Sequence, residues 1–439
     1  MLRLRIPHFP LHVLLRRAAL AYLIVWVLSP PLAYGNNWRV LALLAMLLWF
    51  AIELRTPRSV LMRPNLPVLA CVVFIVYSLA IELLVPDSTD INQHFQIWIM
   101  LFFLLVGESH QRAQRDETTF CFWMVLLVLP IWSFTTLRGL DTISADVART
   151  ISRSSAEAQA LSEQGIGGFG FIYTSVLCLP FLTQLAFRPG ADFSFRRARW
   201  KQRVSRLIIW CNFVLTGLLV MRAGYSIALI LAAIAVISVL LIQSRRAIPF
   251  AMSTTLAGLL LFTTSIMLEP ALKSLQSVTA NTEYAAKVRD VRESLKGGEN
   301  VGTVSGRTER YYRSFQMFLE SPITGRLIFD GVGGHSSILD RYAQYGVGFG
   351  TLFLCLLGFV PFQSLRDQRV PIGLALGFLI VALGFPMMNT VFMSWGLILY
   401  VFSRGAFATI TRQQDDMQRP SRDSKSMSDD HNRQTPWKP

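Results

Sequence analysis

The feature that most constrains the fold of this 439-residue chain is a series of apolar runs that recurs through most of its length. Most runs are roughly 12 to 20 residues long, and a helix of that length crosses a hydrocarbon layer of roughly 30 Å, the shorter ones by extending into their flanks. Hydrophobic residues make up 52% of the chain and charged residues only 16%, a balance typical of proteins embedded in lipid. We therefore predict an all-α polytopic membrane protein with about 12 transmembrane helices.

The basic residues indicate how these helices are oriented. If the N-terminus is cytoplasmic, 27 of the 42 Lys and Arg residues lie on the inner side and 15 on the outer side, and ten of those 15 lie in one long loop. The positive-inside rule does not apply to loops of that length, so both termini are predicted to be cytoplasmic. The predicted spans lie near residues 18–34, 40–52, 67–85, 95–106, 118–137, 170–187, 207–221, 223–242, 248–267, 347–362, 371–387 and 390–403.

The spans divide the chain into regions. Arg3 and Arg5 precede the first apolar run, and no clear small-residue cleavage site follows it, which predicts an uncleaved signal-anchor helix. Two long outer loops are predicted to be functional, because loops of that size seldom serve only as connections. The predicted regions are helices 1 to 9 within residues 1–267 with a periplasmic loop at 138–169, a long periplasmic loop between helices 9 and 10 at 268–346, helices 10 to 12 at 347–403, and a cytoplasmic tail at 404–439, disordered from about residue 413.

Composition also argues against several classes of protein. The net charge of +15 would suit a nucleic-acid partner, but most basic residues lie on one side of the spans and report topology instead. All five cysteines fall in apolar segments, which disfavours a disulfide framework or a zinc site. Glu82 is the one clear ionisable residue inside a span, whereas transporters usually carry more. His94, at the start of the fourth span, is interpreted as an interfacial residue.

The first candidate motif in the long outer loop is SGRTERYYRSFQMFLESPITG, residues 305–325. It predicts a helix that begins at Ser305 and ends before Pro322, with Arg307, Arg310 and Ser314 on one face. Phe315, Phe318 and Leu319 are expected to pack on the membrane domain. The alternative is an interfacial amphipathic helix whose arginines bind lipid headgroups.

The second candidate motif, DGVGGHSSILDRYAQYG, follows at residues 330–346. Its glycines permit a tight backbone, and Ser337 with Asp340 predicts a capping box at a helix N-terminus. His335 would then lie beside backbone amides that favour an anion such as a phosphate. The alternative is a structural loop histidine.

The third candidate is Arg222, which follows the seventh span in a short outer hairpin and departs from the positive-inside trend. It is either a snorkelling anchor or a fixed cation suited to a lipid-linked phosphate.

Together, MRAGYS after a span, SGRTERYYRSFQMFLESPITG and GGHSSILDRYAQYGVGFG resemble the O-antigen ligase and polymerase superfamily, membrane glycosyltransferases that use undecaprenyl-pyrophosphate-linked sugars. The resemblance implies an inverting, metal-independent transfer on the periplasmic face of the bacterial inner membrane, without a cofactor. By that analogy His335 is the catalytic general base. Arg222 and Arg307 would bind the departing pyrophosphate, with Arg310 as a further candidate.

The resemblance favours a polymerase of oligosaccharide repeat units, which extends O-antigen or another surface polysaccharide. One alternative is a ligase that transfers polysaccharide to lipid A-core, and another is a non-enzymatic transporter or flippase of lipid-linked sugars. The implied partners are the undecaprenyl-pyrophosphate-linked oligosaccharide, the bilayer and, by family analogy, a chain-length regulator. No nucleic-acid partner is expected.

Overall fold

The computed structural model describes residues 10–34, 36–56, 59–85, 91–113, 115–143, 156–187, 199–242, 273, 277, 303–328, 330–367 and 370–418. All regular secondary structure in these residues is helical, with no strand. The helices are α1 (Leu11–Leu28), α2 (Pro30–Tyr34), α3 (Asn36–Arg55), α4 (Leu66–Leu84), α5 (Ile91–Ala113), α6 (Arg115–Thr142), α7 (Ala156–Glu163), α8 (Phe169–Phe187), α9 (Arg199–Ala223), α10 (Ser226–Leu241), α11 (Thr303–Glu320), α12 (Ser337–Asp367), α13 (Ile372–Met388), α14 (Met393–Gly396) and α15 (Ser403–Gln418), the last two joined by a π-helical segment, Leu397–Phe402.

Eight helices in the described part of the chain are long and apolar enough to cross a membrane. They are α1, α3, α4, α6, α8, α9, α12 and the continuous helix Met393–Ile410. Two shorter apolar helices, Ile227–Leu241 and Ile372–Met388, match predicted spans eight and eleven, and α5 covers the fourth. The ninth predicted span, 248–267, lies outside the described residues. The all-helical, multi-pass class is therefore confirmed, and the total of about twelve stays a prediction.

Several predicted boundaries differ from those of the structure. The first predicted span is divided, because α1 ends at Leu28 and the Pro30–Pro31 pair begins α2 without the amide hydrogens that would continue α1. The predicted outer loop 138–169 contains the end of α6 and all of α7. The predicted disordered tail from about residue 413 overlaps α15, which continues to Gln418, and its remainder lies outside the described residues.

Helix α8 lies in the middle of the bundle and packs against α9, α10 and α13. Its residues from Phe171 to Leu185 are all buried, as expected for a helix that is apolar on every side. The ring of Phe181 lies 5.0 Å from that of Phe378 and 5.2 Å from that of Phe407. These contacts hold α8 against the C-terminal helices, so the bundle forms a rigid support for the loops at its ends.

One end of the bundle contains a buried network of charges that the sequence analysis did not predict. The Arg16 guanidinium lies 2.9 Å from a carboxylate oxygen of Glu53 and 2.9 Å from one of Glu117, and it donates a 2.8 Å hydrogen bond to Ser109. Arg16 is only 1% exposed. The network joins α1, α3, α5 and α6, and no local sequence pattern indicates that these residues pair.

A second arginine completes this end of the bundle. Arg404, at the start of α15, donates to the Glu108 carboxylate, to the Gly107 carbonyl and, over 3.2 Å, to the Ser364 hydroxyl. Asn65 donates to the other oxygen of Glu108 over 2.5 Å. Two sets of helix ends therefore meet at this face of the bundle. One set is the N-terminal ends of α4, α6 and α15, and the other is the C-terminal ends of α3, α5 and α12. The opposite ends of α4, α5, α6 and α12 lie at the other face of the bundle, which carries the candidate site.

Candidate functional site

Helix α11 forms one wall of the candidate site and packs on α12. Ser314 and Met317 are buried on its inner face, and the ring of Phe318 meets that of Tyr342 at 5.7 Å. The predicted packing of Phe315 and Leu319 is wrong: these side chains are 46% and 57% exposed, because they lie on the face of α11 turned away from α12. Arg307 lies on α11 one turn before Arg310, on the part of the helix whose side chains are not described.

The turn after α11 is anchored by direct contact between two stretches of backbone. The amide groups of Arg326 and Leu327 donate to the carbonyls of Ala343 and Gln344, and Val347 donates to the carbonyl of Pro322. Gly346 has φ 68° and ψ −172°, a conformation that is essentially restricted to glycine. A Cβ on Gly346 would lie 2.1 Å from the Ile323 carbonyl oxygen, and one on the facing Gly325 would lie 2.2 Å from that of Gln344. Gly325, the glycine of the SPITG motif, is thus needed because the two stretches of backbone approach each other too closely for a side chain.

We predict that Gly346→Ala destabilises the folded protein by more than the roughly 1–3 kcal/mol of backbone strain, because the new methyl group also collides with a carbonyl oxygen. The expected result is a lower apparent midpoint of thermal unfolding in detergent and less protein in membranes. Gly348→Ala is the matched control, since a Cβ at Gly348 meets nothing within 4 Å. Equal unfolding midpoints for the two variants would contradict this account of the turn.

The loop that carries His335 is held between α11 and α12 by a chain of hydrogen bonds. The Gly333 amide donates to the Ser314 hydroxyl over 3.0 Å, and that hydroxyl donates to the buried Asp340 carboxylate over 2.7 Å. Asp340 also accepts from the Ser336 amide, and the Ser336 hydroxyl accepts from the amide of Leu339. The residue that caps α12 is therefore Ser336, and the predicted capping role of Ser337 is wrong.

Ser337 instead ties this loop to the turn between α13 and α14. Its amide donates to the Asn389 carbonyl over 3.0 Å, and its hydroxyl accepts from the Val391 amide over 2.6 Å. Thr390 donates to the Gly334 carbonyl over 3.1 Å. The backbone on both sides of His335 is thus fixed to residues that are more than fifty positions away in sequence.

The structure brings two of the predicted site residues into direct contact. The Arg310 guanidinium donates to Nε2 of His335 over 2.5 Å. Because Nε2 accepts this hydrogen bond, the neutral imidazole carries its proton on Nδ1. Arg310 is exposed and His335 is half-buried, so a ligand from outside the bundle can approach both side chains.

Arg222, the third described candidate, forms an ion pair with Asp141, which lies outside the predicted site. Its Nε donates to the Asp141 carboxylate at the end of α6 over 2.7 Å, and the side chains are 41% and 56% exposed. Such an exposed pair contributes at most about 1 kcal/mol. Asp141 neutralises Arg222 without enclosing it, so an anion can compete for the guanidinium.

An aromatic cluster lies between the position of Arg222 and the loop of His335. The ring of Phe169 meets that of Tyr225, three residues after Arg222, at 5.1 Å and that of Phe392 at 5.9 Å. Phe392 directly follows Val391, which is bound to Ser337. The cluster therefore links the residues after Arg222 to the turn that holds the His335 loop.

The prediction that His94 is an interfacial residue is wrong. His94 is fully buried; Nδ1 contacts the Glu82 carboxylate and Nε2 lies 2.6 Å from the Tyr345 hydroxyl. Glu82, the ionisable residue noted within a span, therefore has a partner. His94, held by Glu82, contacts Tyr345, the residue before Gly346. Only the isolation of Glu82 and its proximity to His94 in sequence pointed to this contact. In the described part of the chain, no group of three or more His, Cys, Asp or Glu side chains is arranged to hold a metal ion.

Residues 211–326 match the family Wzy_C, described as O-antigen ligase. This match confirms the resemblance drawn from the sequence motifs. The matched residues include Arg222, Arg307 and Arg310 and end at Arg326, whereas His335 lies nine residues beyond them. Neither the curated proteins nor the solved structures gave a match. The description of the matched family points to O-antigen or polysaccharide biosynthesis.

Proposed function

We propose that this protein is a glycosyltransferase that polymerises undecaprenyl-pyrophosphate-linked oligosaccharide repeat units into O-antigen or a related surface polysaccharide. The observation that carries the proposal is the contact between Arg310 and His335, which places a cation and a proton acceptor side by side on an accessible surface. A reaction that needs both a base for a hydroxyl and a cation for a departing pyrophosphate can use this pair.

In the proposed reaction, Nε2 of His335 takes the proton from an acceptor sugar hydroxyl. The hydroxyl oxygen attacks the anomeric carbon of the donor sugar and forms the new glycosidic bond. The bond between that carbon and the phosphate oxygen breaks with inversion, and undecaprenyl pyrophosphate leaves with the bonding electrons. Arg222, Arg307 and Arg310 stabilise its growing negative charge, in place of a metal ion or other cofactor.

The proposed orientation places this chemistry on the periplasmic face of a bacterial inner membrane, with both termini in the cytoplasm. The buried network of Arg16 and Arg404 supports it, because the helix ends gathered there all belong to segments predicted to be cytoplasmic. His335 and the pair formed by Arg222 and Asp141 belong to the opposite helix ends. A chain-length regulator is proposed as a partner by analogy with the family.

The second candidate function is ligation of polysaccharide to lipid A-core, which is favoured by the description of the Wzy_C family as O-antigen ligase. Ligase and polymerase would use the same donor and the same base, and they differ in acceptor. The transporter or flippase alternative draws less support. Within the described residues, the buried Arg16, Arg404, Glu53, Glu108 and Glu117 are ion-paired with one another, which leaves these charges without the open partner that proton or ion transport requires.

The experiment that separates these functions is a gel of surface glycolipid from a strain that lacks the gene. A lost polymerase leaves core with a single repeat unit, and a lost ligase leaves bare core. Retention of lipid-linked units on the cytoplasmic side would support a flippase. An unchanged ladder of long chains would contradict all three functions.

A further inference from the structure

The contact between Arg310 and His335 has a consequence for the proposed base. A neutral imidazole has one lone pair available to accept a proton, and here that lone pair on Nε2 accepts a hydrogen from the Arg310 guanidinium. The guanidinium stays protonated and offers donors only. In this arrangement His335 therefore has no free position with which to take the proton of an acceptor hydroxyl.

The two side chains differ in how firmly they are held. The backbone of His335 is fixed on both sides, because Ser337 binds Asn389 and Val391 and Thr390 binds Gly334. Arg310 is an exposed side chain on the surface of α11, with several rotatable bonds. The arginine, with more rotatable bonds and no backbone restraint near its guanidinium, is therefore the side chain that moves more easily.

A pyrophosphate is the kind of ligand that would cause this movement. Hydrogen bonds from a guanidinium to phosphate oxygens are charge-assisted and frequently bidentate, and they are roughly twice as strong as bonds between neutral groups. The imidazole offers Arg310 only one neutral acceptor. When a donor pyrophosphate lies within reach, the hydrogen bonds from Arg310 to the phosphate oxygens are therefore stronger than its single hydrogen bond to His335.

We propose that Arg310 blocks the base in the empty site and that the donor pyrophosphate activates His335 by drawing Arg310 away. This proposal rests on the proposed function, since it takes His335 as the base and pyrophosphate as the leaving group. Nε2 then becomes free to take the proton of the acceptor hydroxyl, while Arg310 stays on the pyrophosphate that departs. Arg310 thus binds the departing pyrophosphate and also makes activation of the base depend on the donor.

The test measures the reactivity of His335 directly, without any transfer reaction. Diethyl pyrocarbonate acylates an imidazole nitrogen through its free lone pair, and mass spectrometry of the full-length protein in detergent reports the extent at residue 335. We expect slow modification in the unliganded protein. Addition of inorganic pyrophosphate should accelerate it roughly fivefold, the factor that corresponds to loss of one exposed charged contact.

The matched variants are Arg310→Met and Arg313→Met. The first removes the donor to Nε2 while keeping an unbranched side chain, and should react roughly fivefold faster than the parent protein without any pyrophosphate. The second removes an exposed arginine from the same helix, one that pairs with Glu309, and should react like the parent. Similar thermal unfolding of both variants would confirm that the change at His335 is local.

Two outcomes would overturn the proposal: an unchanged modification rate in Arg310→Met, or unchanged or slower modification of the parent protein in the presence of pyrophosphate. Failure of the proposed function gives a different result. In that case a strain with His335→Ala would still make long polysaccharide, whatever the reactivity of His335 toward the reagent.

Discussion

Replacement of His335 by alanine is expected to abolish long-chain polysaccharide while leaving the protein in the membrane. General base catalysis contributes typically about 10²–10⁴-fold to the rate, so transfer should fall by that factor. The fold should persist, because the loop is anchored by the Gly333 amide and by the side chains of Ser336, Ser337 and Asp340. Surface glycolipid on a gel and protein abundance in isolated membranes are the two measurements.

The control for this variant is His12→Ala. His12 is exposed near the start of α1, at the end of the bundle opposite His335, and its loss should leave the polysaccharide unchanged. A normal ladder of long chains in the His335→Ala strain would exclude His335 as the base. Loss of the protein from membranes would instead indicate a structural role for the histidine.

Arg16→Met is expected to have the largest effect on stability. The substitution removes the cation that lies between Glu53 and Glu117 and leaves two carboxylates in a site from which water is excluded. Loss of one partner from a buried ion pair typically costs about 3–5 kcal/mol. We expect little protein in membranes and a much lower apparent midpoint of thermal unfolding in detergent.

Two further variants show whether charge or packing causes this loss. Neutralising both carboxylates in an Arg16→Met, Glu53→Gln, Glu117→Gln protein should recover most of the stability, because no unpaired charge remains buried. Arg313→Met removes an exposed pair and should cost less than about 1 kcal/mol. If the triple variant is as unstable as the single one, the network stabilises the bundle through packing alone.

The candidate site shows what short sequence motifs indicate and what they leave open. Arg310 and His335 belong to short motifs that can be read along the chain, and the structure joins them. The prediction for Ser337 failed because the neighbouring serine offered the same capping chemistry. Which one caps α12 depends on residues 389–391, which occupy Ser337.

Contacts across large sequence separations account for the other differences. The apolar character of Phe315 and Leu319 predicts that they face the bundle. The hydrogen bond between Ser314 and Asp340 instead turns the Ser314 face of α11 inward. His94 was placed at an interface because it begins a span. Its burial depends on Tyr345, which is 251 residues away. No local pattern carries such information.

The sequence alone determined that this protein is a bundle of apolar helices, and it located the cationic helix and the glycine-rich loop. The length and hydrophobicity of a run are local properties that decide whether it can lie in lipid. Only the tertiary structure decided that Arg310 occupies Nε2 of His335, that Asp141 neutralises Arg222, and that Arg16 lies buried between two glutamates. Each of these pairs joins different segments, and their energies depend on burial and side-chain direction, which exist only once the helices have packed.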